Sequence, residues 1–130
     1  MNNKNNINIG KIGEDIAYKY LVNNRWRILE RNYRRKSDEI DIIGISIDKI
    51  LTFFEVKALV KQGLSTLDVL TPEDNLTVAK LGKISRTCNF FAGRHPEFVD
   101  PNRGWRIDLL AIELDLHKKM GRVRHYENIG

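Results

Sequence analysis

Three carboxylates and one lysine stand out by type and spacing: Glu14, Asp41, Glu55 and Lys57. Glu55-Val56-Lys57 closes the apolar run Ile50-Leu51-Thr52-Phe53-Phe54, so Ile50 to Ala58 reads as a buried strand that ends in charge. Side chains alternate along a strand, which puts Leu51, Phe53, Glu55 and Lys57 on one side. Charges at the edge of an apolar face are costly unless they are paired or bind a metal. Taken alone, Glu-x-Lys at a strand end reads as a local ion pair emerging into solvent. Joined by Asp41, it suits metal-assisted phosphodiester hydrolysis. Asp41, Glu55 and the Val56 carbonyl offer hard oxygen ligands for Mg²⁺, with Mn²⁺ as a substitute, and Mg²⁺ keeps several waters. The metal would acidify an attacking water and stabilise charge on the phosphate. Lys57 would orient or activate that water, and Glu14 would hold an outer water or a second metal.

The elements that must position these groups can be read from periodicity. Ile9, Ile12, Ile16, Ala17, Tyr20 and Leu21 repeat at helical spacing and define a first helix to about Asn23. Glu14 lies on the margin of that stripe, at a helix–sheet boundary. An exposed first-turn glutamate favoured by the helix dipole fits the same position. Trp26 to Tyr33 reads as a first strand. A polar link from Arg34 to Asp38 leads to a second strand, Glu39 to Ile45, with Glu39 and Asp41 on one face.

The second and third strands should form an antiparallel hairpin. Opposed residues in such a pair have constant summed numbers and point to the same face. Asp41 faces Glu55 only if Ser46 pairs with Ile50, leaving the three-residue loop Ile47-Asp48-Lys49. A two-residue loop at Asp48-Lys49 would turn Asp41 away. Three-residue loops carry one left-handed residue, and Asp48 is of a type that tolerates that conformation.

Ala58 to Asn75 reads as a long loop with a short strand at Leu67 to Leu70. Thr77 is the expected N-cap of a second helix, Val78 to Ala92, with the stripe Leu81, Ile84, Cys88 and Phe91 and a stop at Gly93. Lys80 and Lys83 fall near its start, where the dipole disfavours cations. A nearby anion would account for them, and so would plain solvation. Arg94 to Gly104 is a loop, Trp105 to Leu114 a strand of central character, and Arg122 to Tyr126 an edge strand whose charges discourage aggregation.

Composition narrows the classes further. The 130 residues carry a formal charge of +5, compatible with nucleic acid. Positive charge gathers before the carboxylate-rich strand, with Arg34, Arg35 and Lys36 forming a candidate phosphate-facing rim together with Lys80 and Lys83. One cysteine, Cys88, excludes an internal disulfide and a cysteine-cluster zinc site. His95, His117 and His125 are scattered. The sequence has no apolar run for a membrane span and no signal peptide, so a cytoplasmic protein is expected, with a loose terminus over residues 1–8 and one domain over 9–130.

Asp41 followed by Glu55-Val56-Lys57 resembles the core of the PD-(D/E)XK nuclease superfamily. More narrowly, the chain from Gly10 to about Asn128 resembles the YraN-like family of predicted endonucleases, distantly similar to archaeal Holliday-junction resolvases. The resemblance runs through Gly13-Glu14, Asn32-Tyr33-Arg34, Glu39-Ile40-Asp41, Phe54 to Lys57, Thr77 to Lys80, Arg106-Ile107-Asp108 and Arg124 to Asn128. Asp38 stands where the family usually has Gly, and the spacing from Asp41 to Glu55 is one residue longer than its pattern.

The resemblance implies an α/β, restriction-endonuclease-like fold: an α-β-β-β-α-β core with a mixed sheet flanked by helices, plus a C-terminal edge strand. It further implies Glu14, Asp41, Glu55 and Lys57 as the catalytic set and structured or branched DNA as substrate. Resolvases cut two symmetric strands, so by analogy the chain would work as a homodimer. The rival reading is a non-catalytic nucleic-acid-binding accessory protein on the same scaffold.

Overall fold

The computed structural model describes residues 8–61 and 77–130. Helix α1 (Ile9–Asn23) comes first, followed by strands β1 (Arg27–Arg35), β2 (Asp38–Ile45) and β3 (Leu51–Val60). Helix α2 (Val78–Arg94) then precedes a short 3₁₀ helix (Pro96–Phe98) and strands β4 (Trp105–Asp115) and β5 (Met120–Tyr126). The strands form one sheet in the order β1-β2-β3-β4-β5. Every neighbouring pair is antiparallel except β3–β4, which is parallel and whose crossover contains α2. This is the α-β-β-β-α-β arrangement with an added edge strand. Among the described residues, no helix is long and apolar enough to cross a membrane.

Each sheet face carries its own apolar core. Ala17 and Leu21 of α1 bury against Ile42, Phe54, Leu110, Ile112 and Leu114. Ile84, Cys88 and Phe91 of α2 bury against Ile40, Ile43, Leu51, Phe53 and Ile107 on the other face. Phe53 and Phe54 thus serve opposite layers, as strand alternation requires. Both helices have side-chain caps: the Asn8 side chain accepts from the Lys11 N–H at 3.0 Å and Thr77 Oγ1 from the Lys80 N–H at 3.1 Å. Such caps satisfy donors that a helix start leaves open.

The β2–β3 hairpin has the odd loop that Asp41 needs. Ile45 pairs with Leu51, Gly44 with Thr52, Ile43 with Phe53 and Ile42 with Phe54. Ser46 N–H then donates to the Ile50 carbonyl at 3.1 Å, leaving Ile47, Asp48 and Lys49 as the loop. The left-handed residue is Lys49, with φ 68°, and not Asp48. In a three-residue loop the last position takes that conformation, so place in the loop outweighs residue preference. The Asp48 carbonyl is instead held by the Arg103 guanidinium at 2.7 Å.

Other boundaries shift for local reasons. Trp26 lies outside β1 and packs edge-on against Phe54, their ring centroids 4.9 Å apart. Helix α2 runs through Gly93 to Arg94, and the chain turns only at His95, which precedes Pro96. A residue before proline is steered away from helical geometry, a stronger stop than a helix-interior glycine. Part of the expected loop from Arg94 to Gly104 is the 3₁₀ turn. The expected strand at Leu67 to Leu70 lies outside the described residues.

Candidate active site

The site forms where the sheet splits. The ladder between β2 and β3 ends at Ile42–Phe54, just short of Asp41 and Glu55. Beyond it, β2 stays with β1 through Ile40–Tyr33, Glu39–Arg34 and Asp38–Arg35, while β3 stays with β4 as far as Val60–Leu114. Asp41 occupies the crotch of this fork. Its Oδ2 accepts the Val56 N–H at 2.7 Å, in place of a strand-to-strand bond. A strand residue sends its N–H and C=O to the same edge, so the Val56 carbonyl opens toward the fork as well.

Asp41 also shares a side-chain hydrogen bond with Glu55. Two carboxyl groups can do this only if one carries a proton. Burial, the hydrogen bond to Glu55 and repulsion from Glu55 push the Asp41 carboxyl up to about 8. The charge of Glu14 adds to the rise, and the Val56 N–H opposes it. A cation between the carboxylates would offset the same repulsion.

Lysine supplies a counter-charge from an adjacent element. Lys80 Nζ lies 3.2 Å from Glu55 Oε2, with the Glu55 side chain 14% exposed and that of Lys80 52% exposed. The anion sought near the start of α2 is thus Glu55. Lys57 is exposed, follows Glu55 by two positions on the same side of β3, and forms no ion pair with any described residue.

Glu14 reaches the fork because α1 lies close on β3. A Cβ on Gly13 would stand 2.6 Å from the Ala58 Cβ, so only glycine permits this approach. Glu14 Oε1 accepts a hydrogen bond from Asn32 Nδ2 at 2.9 Å, and next to it Asp15 pairs with Arg31 at 2.8 Å. Of the four residues singled out for chemistry, Asp41 and Glu55 stand at the fork, Glu14 is tied to Asn32 on its α1 side, and Lys57 is exposed farther along β3.

The expected basic rim is partly engaged. Arg34 Nε lies 3.5 Å from Glu39 Oε2, and the Arg35 guanidinium stacks 3.9 Å above the Phe90 ring, tying the β1–β2 turn to α2. Lys36, with φ 58°, forms the turn itself, and Lys83 is exposed on α2.

Among the described residues no group of three or more His, Cys, Asp or Glu side chains converges to hold a metal. The donors present are two carboxylates and one backbone carbonyl. That set is too small for an all-protein cage, but it fits Mg²⁺, which is commonly held by one or two carboxylates and waters. The fit is supported by two acidic side chains at one fork, where Lys80 offsets Glu55 and Asp41 has only the Val56 N–H as a partner that favours its charge.

A second polar cluster escaped the sequence reading. Asp108 on β4 is fully buried, with Oδ2 2.7 Å from His125 Nε2 and Oδ1 accepting the Asn128 N–H at 2.8 Å. Arg106 Nε lies 3.2 Å from Oδ1, close enough for charge attraction although its N–H finds no aligned acceptor. The histidines looked scattered, but an aspartate inside an otherwise apolar central strand was a usable signal, since it needs partners when buried.

Comparison with known proteins places these residues in a family. Residues 13–112 match the uncharacterised protein family UPF0102. A UPF0102 protein of Campylobacter concisus is 41% identical over 104 residues, covering 80% of this chain and 82% of its own length. One from Campylobacter lari is 39% identical over 103 residues, covering 79% and 81%. One from Alkaliphilus oremlandii is 34% identical over 127 residues, covering 95% and 97%. The chain belongs to the UPF0102 (YraN-like) family.

Proposed function

We propose that the protein is a Mg²⁺-dependent endonuclease that hydrolyses phosphodiester bonds in structured or branched DNA, with Mn²⁺ able to substitute. The observation that carries this reading is the contact between Asp41 and Glu55 in the sheet fork, beside the Val56 N–H. Structural ion pairs bring opposite charges together, whereas two carboxylates forced together by their scaffold are a hallmark of functional sites. Asp41, Glu55 and the Val56 carbonyl would hold the metal. When bound, Mg²⁺ would acidify a water and offset charge on the phosphate.

The chain's own groups would do the rest. Asp41 keeps its oxygens aimed into the fork through the Val56 N–H. Lys57, exposed on the strand side of Glu55, would orient the water and neutralise a phosphate oxygen. Lys80, which lies beside Glu55, would add a second cation on the substrate side. Arg34, Arg35, Lys36 and Lys83 would contact flanking phosphates, where cations position a duplex without reading its sequence. Two symmetric cuts would call for a homodimer.

One observation favours a second reading, in which the chain binds nucleic acid without cutting it. Glu55 is already paired with Lys80, so the scaffold can balance half of its acidic pair with no metal.

Cleavage of a panel of junction, flap, single-stranded and duplex DNA under Mg²⁺ or Mn²⁺ titration separates the readings. Nicked junctions or flaps are expected from wild type. Asp41→Ala and Glu55→Ala should lose at least about 100-fold in rate, the scale on which positioned metal and charge act. Tight binding with no metal-dependent cleavage would establish the accessory role. No binding at low salt would remove both readings, because phosphate contacts dominate affinity there.

A further inference from the structure

We propose that Asn32 is a positioning residue of the site, holding the Glu14 carboxylate beside the fork through its side-chain amide. The proposal rests on the metal-site reading of Asp41 and Glu55. Asn32 lies between the pairs Arg31–Ile42 and Tyr33–Ile40, which sets it opposite Asp41 in the β1–β2 hairpin. Its φ is 53°, left-handed in the middle of a strand. Asn is among the few side-chain-bearing residues that accept that conformation readily.

The effect on side-chain direction is visible on both strands. In a regular strand, residues two apart share a face. Here Arg31 reaches α1, pairing with Asp15 and lying 4.8 Å from the Tyr18 ring centroid. Tyr33, two residues on, packs against Phe91 of α2 with ring centroids 5.2 Å apart. The same break occurs across the ladder: Ile42 is buried in the α1 layer and Ile40 in the α2 layer. Both strands therefore change faces at the Asn32–Asp41 pair. One consequence is that Asp41 turns into the fork, where it meets the Val56 N–H. The other is that Asn32 points at α1 and donates to Glu14 at 2.9 Å. The kink that frees Asp41 from its ladder and the amide that anchors Glu14 are contributed by one residue.

Asn32→Gly tests the amide separately from the backbone, because glycine keeps the left-handed conformation without strain. Mn²⁺ binding to DNA-free protein, followed by electron paramagnetic resonance, should weaken about ten-fold in Asn32→Gly with little change in melting temperature. In a Glu14→Ala background the same substitution should have no further effect, the signature of a residue acting through another. Wild-type affinity in Asn32→Gly, or losses that add fully, would overturn the proposal.

A metal-independent arm uses the Asn32 side-chain amide resonances, which should shift when Glu14 is changed to Ala and the hydrogen bond is lost. Unmoved resonances would also overturn it. If the amide shifts but wild type binds no Mn²⁺, the metal reading falls and the hydrogen bond is merely structural. If wild type binds Mn²⁺ and Asn32→Gly matches it, the metal reading stands and the positioning role falls.

Discussion

Two aspartates of one sheet are withdrawn from water in opposite ways. Asp108 is fully buried and surrounded by His125, Arg106 and the Asn128 N–H. Asp41 is half-buried and faces a second carboxylate, Glu55, with a single backbone N–H as its compensation. The Asp108 cluster fastens β5 and the following residues to β4, and the neighbouring Ile129 N–H donates to the Ile107 carbonyl at 2.8 Å. Its carboxylate is matched by donors and a cation, although the Arg106 Nε–H itself has no aligned acceptor. In the Asp41 pair Lys80 offsets Glu55 alone, and Asp41 has no cationic partner among the described residues. Burial alone therefore does not distinguish the two carboxylates, whereas the sign of their neighbours does.

The largest expected effect breaks the satisfied side of this contrast. Asp108→Ala removes the group on which a histidine, an arginine and a backbone N–H converge, and should cost about 3–5 kcal/mol in urea unfolding, the scale for breaking a buried charge network. A loss below about 1 kcal/mol would mean that Asp108 is not the anchor described here.

The next effect acts on the other side through packing. Gly13→Ala places a Cβ 2.6 Å from the Ala58 Cβ and should cost about 1–3 kcal/mol, typical of overpacking. It should also weaken Mn²⁺ binding by shifting α1, and Glu14 with it, away from the sheet.

The smallest effect sharpens the comparison by pH. The Asp41 carboxyl has an ordinary value of 3.8 and a folded one of about 8. Between these values the unfolded chain has released a proton that the folded chain keeps. The stability this group contributes is therefore full below about pH 4, falls as pH rises and is lost above about pH 8. Metal-free Asp41→Asn should flatten that slope and gain roughly 1 kcal/mol at pH 8, a modest figure because the fork is partly open to water. Mg²⁺ should stabilise wild type increasingly through the same window. A metal-free stability curve that rises from pH 5 to pH 8 would contradict the carboxyl pairing.

Much of this was legible from residue order. The stripe from Ile9 to Leu21 marked α1 from Ile9 to Asn23, because a helix with one buried face must repeat at that period. The odd loop followed from parity, since a strand has only two sides and one extra loop residue decides which is used, but the ladder it sets ends at Ile42–Phe54 and Asp41 turns into the fork beyond it. The face change at Asn32 was not legible, because period-two reasoning assumes regular alternation and a single left-handed residue cancels it. The Asp108–His125 contact was hidden for a different reason: it crosses between β4 and β5, and its partner could be chosen only once the strands were ordered. Lys80 was readable as a cation in need of an anion, but Glu55 became that anion only when α2 was placed over the sheet.

The parallel β3–β4 pair has a consequence for how the chain folds. β1, β2 and β3 are joined by short turns and can zip together as a meander, with little loop-closure entropy to overcome. β4 must wait for the crossover through α2 before Leu51 can meet Trp105, and such long-range pairings are the slow ones. Asp41 and Glu55 lie on strands of this meander, but the β3 arm of the fork, Glu55 to Val60, is held by β4, so the fork is complete only once the crossover pairing forms. The two acids are thus expected to come together while the edge of β3 that β4 later covers is still open to water, which screens their repulsion.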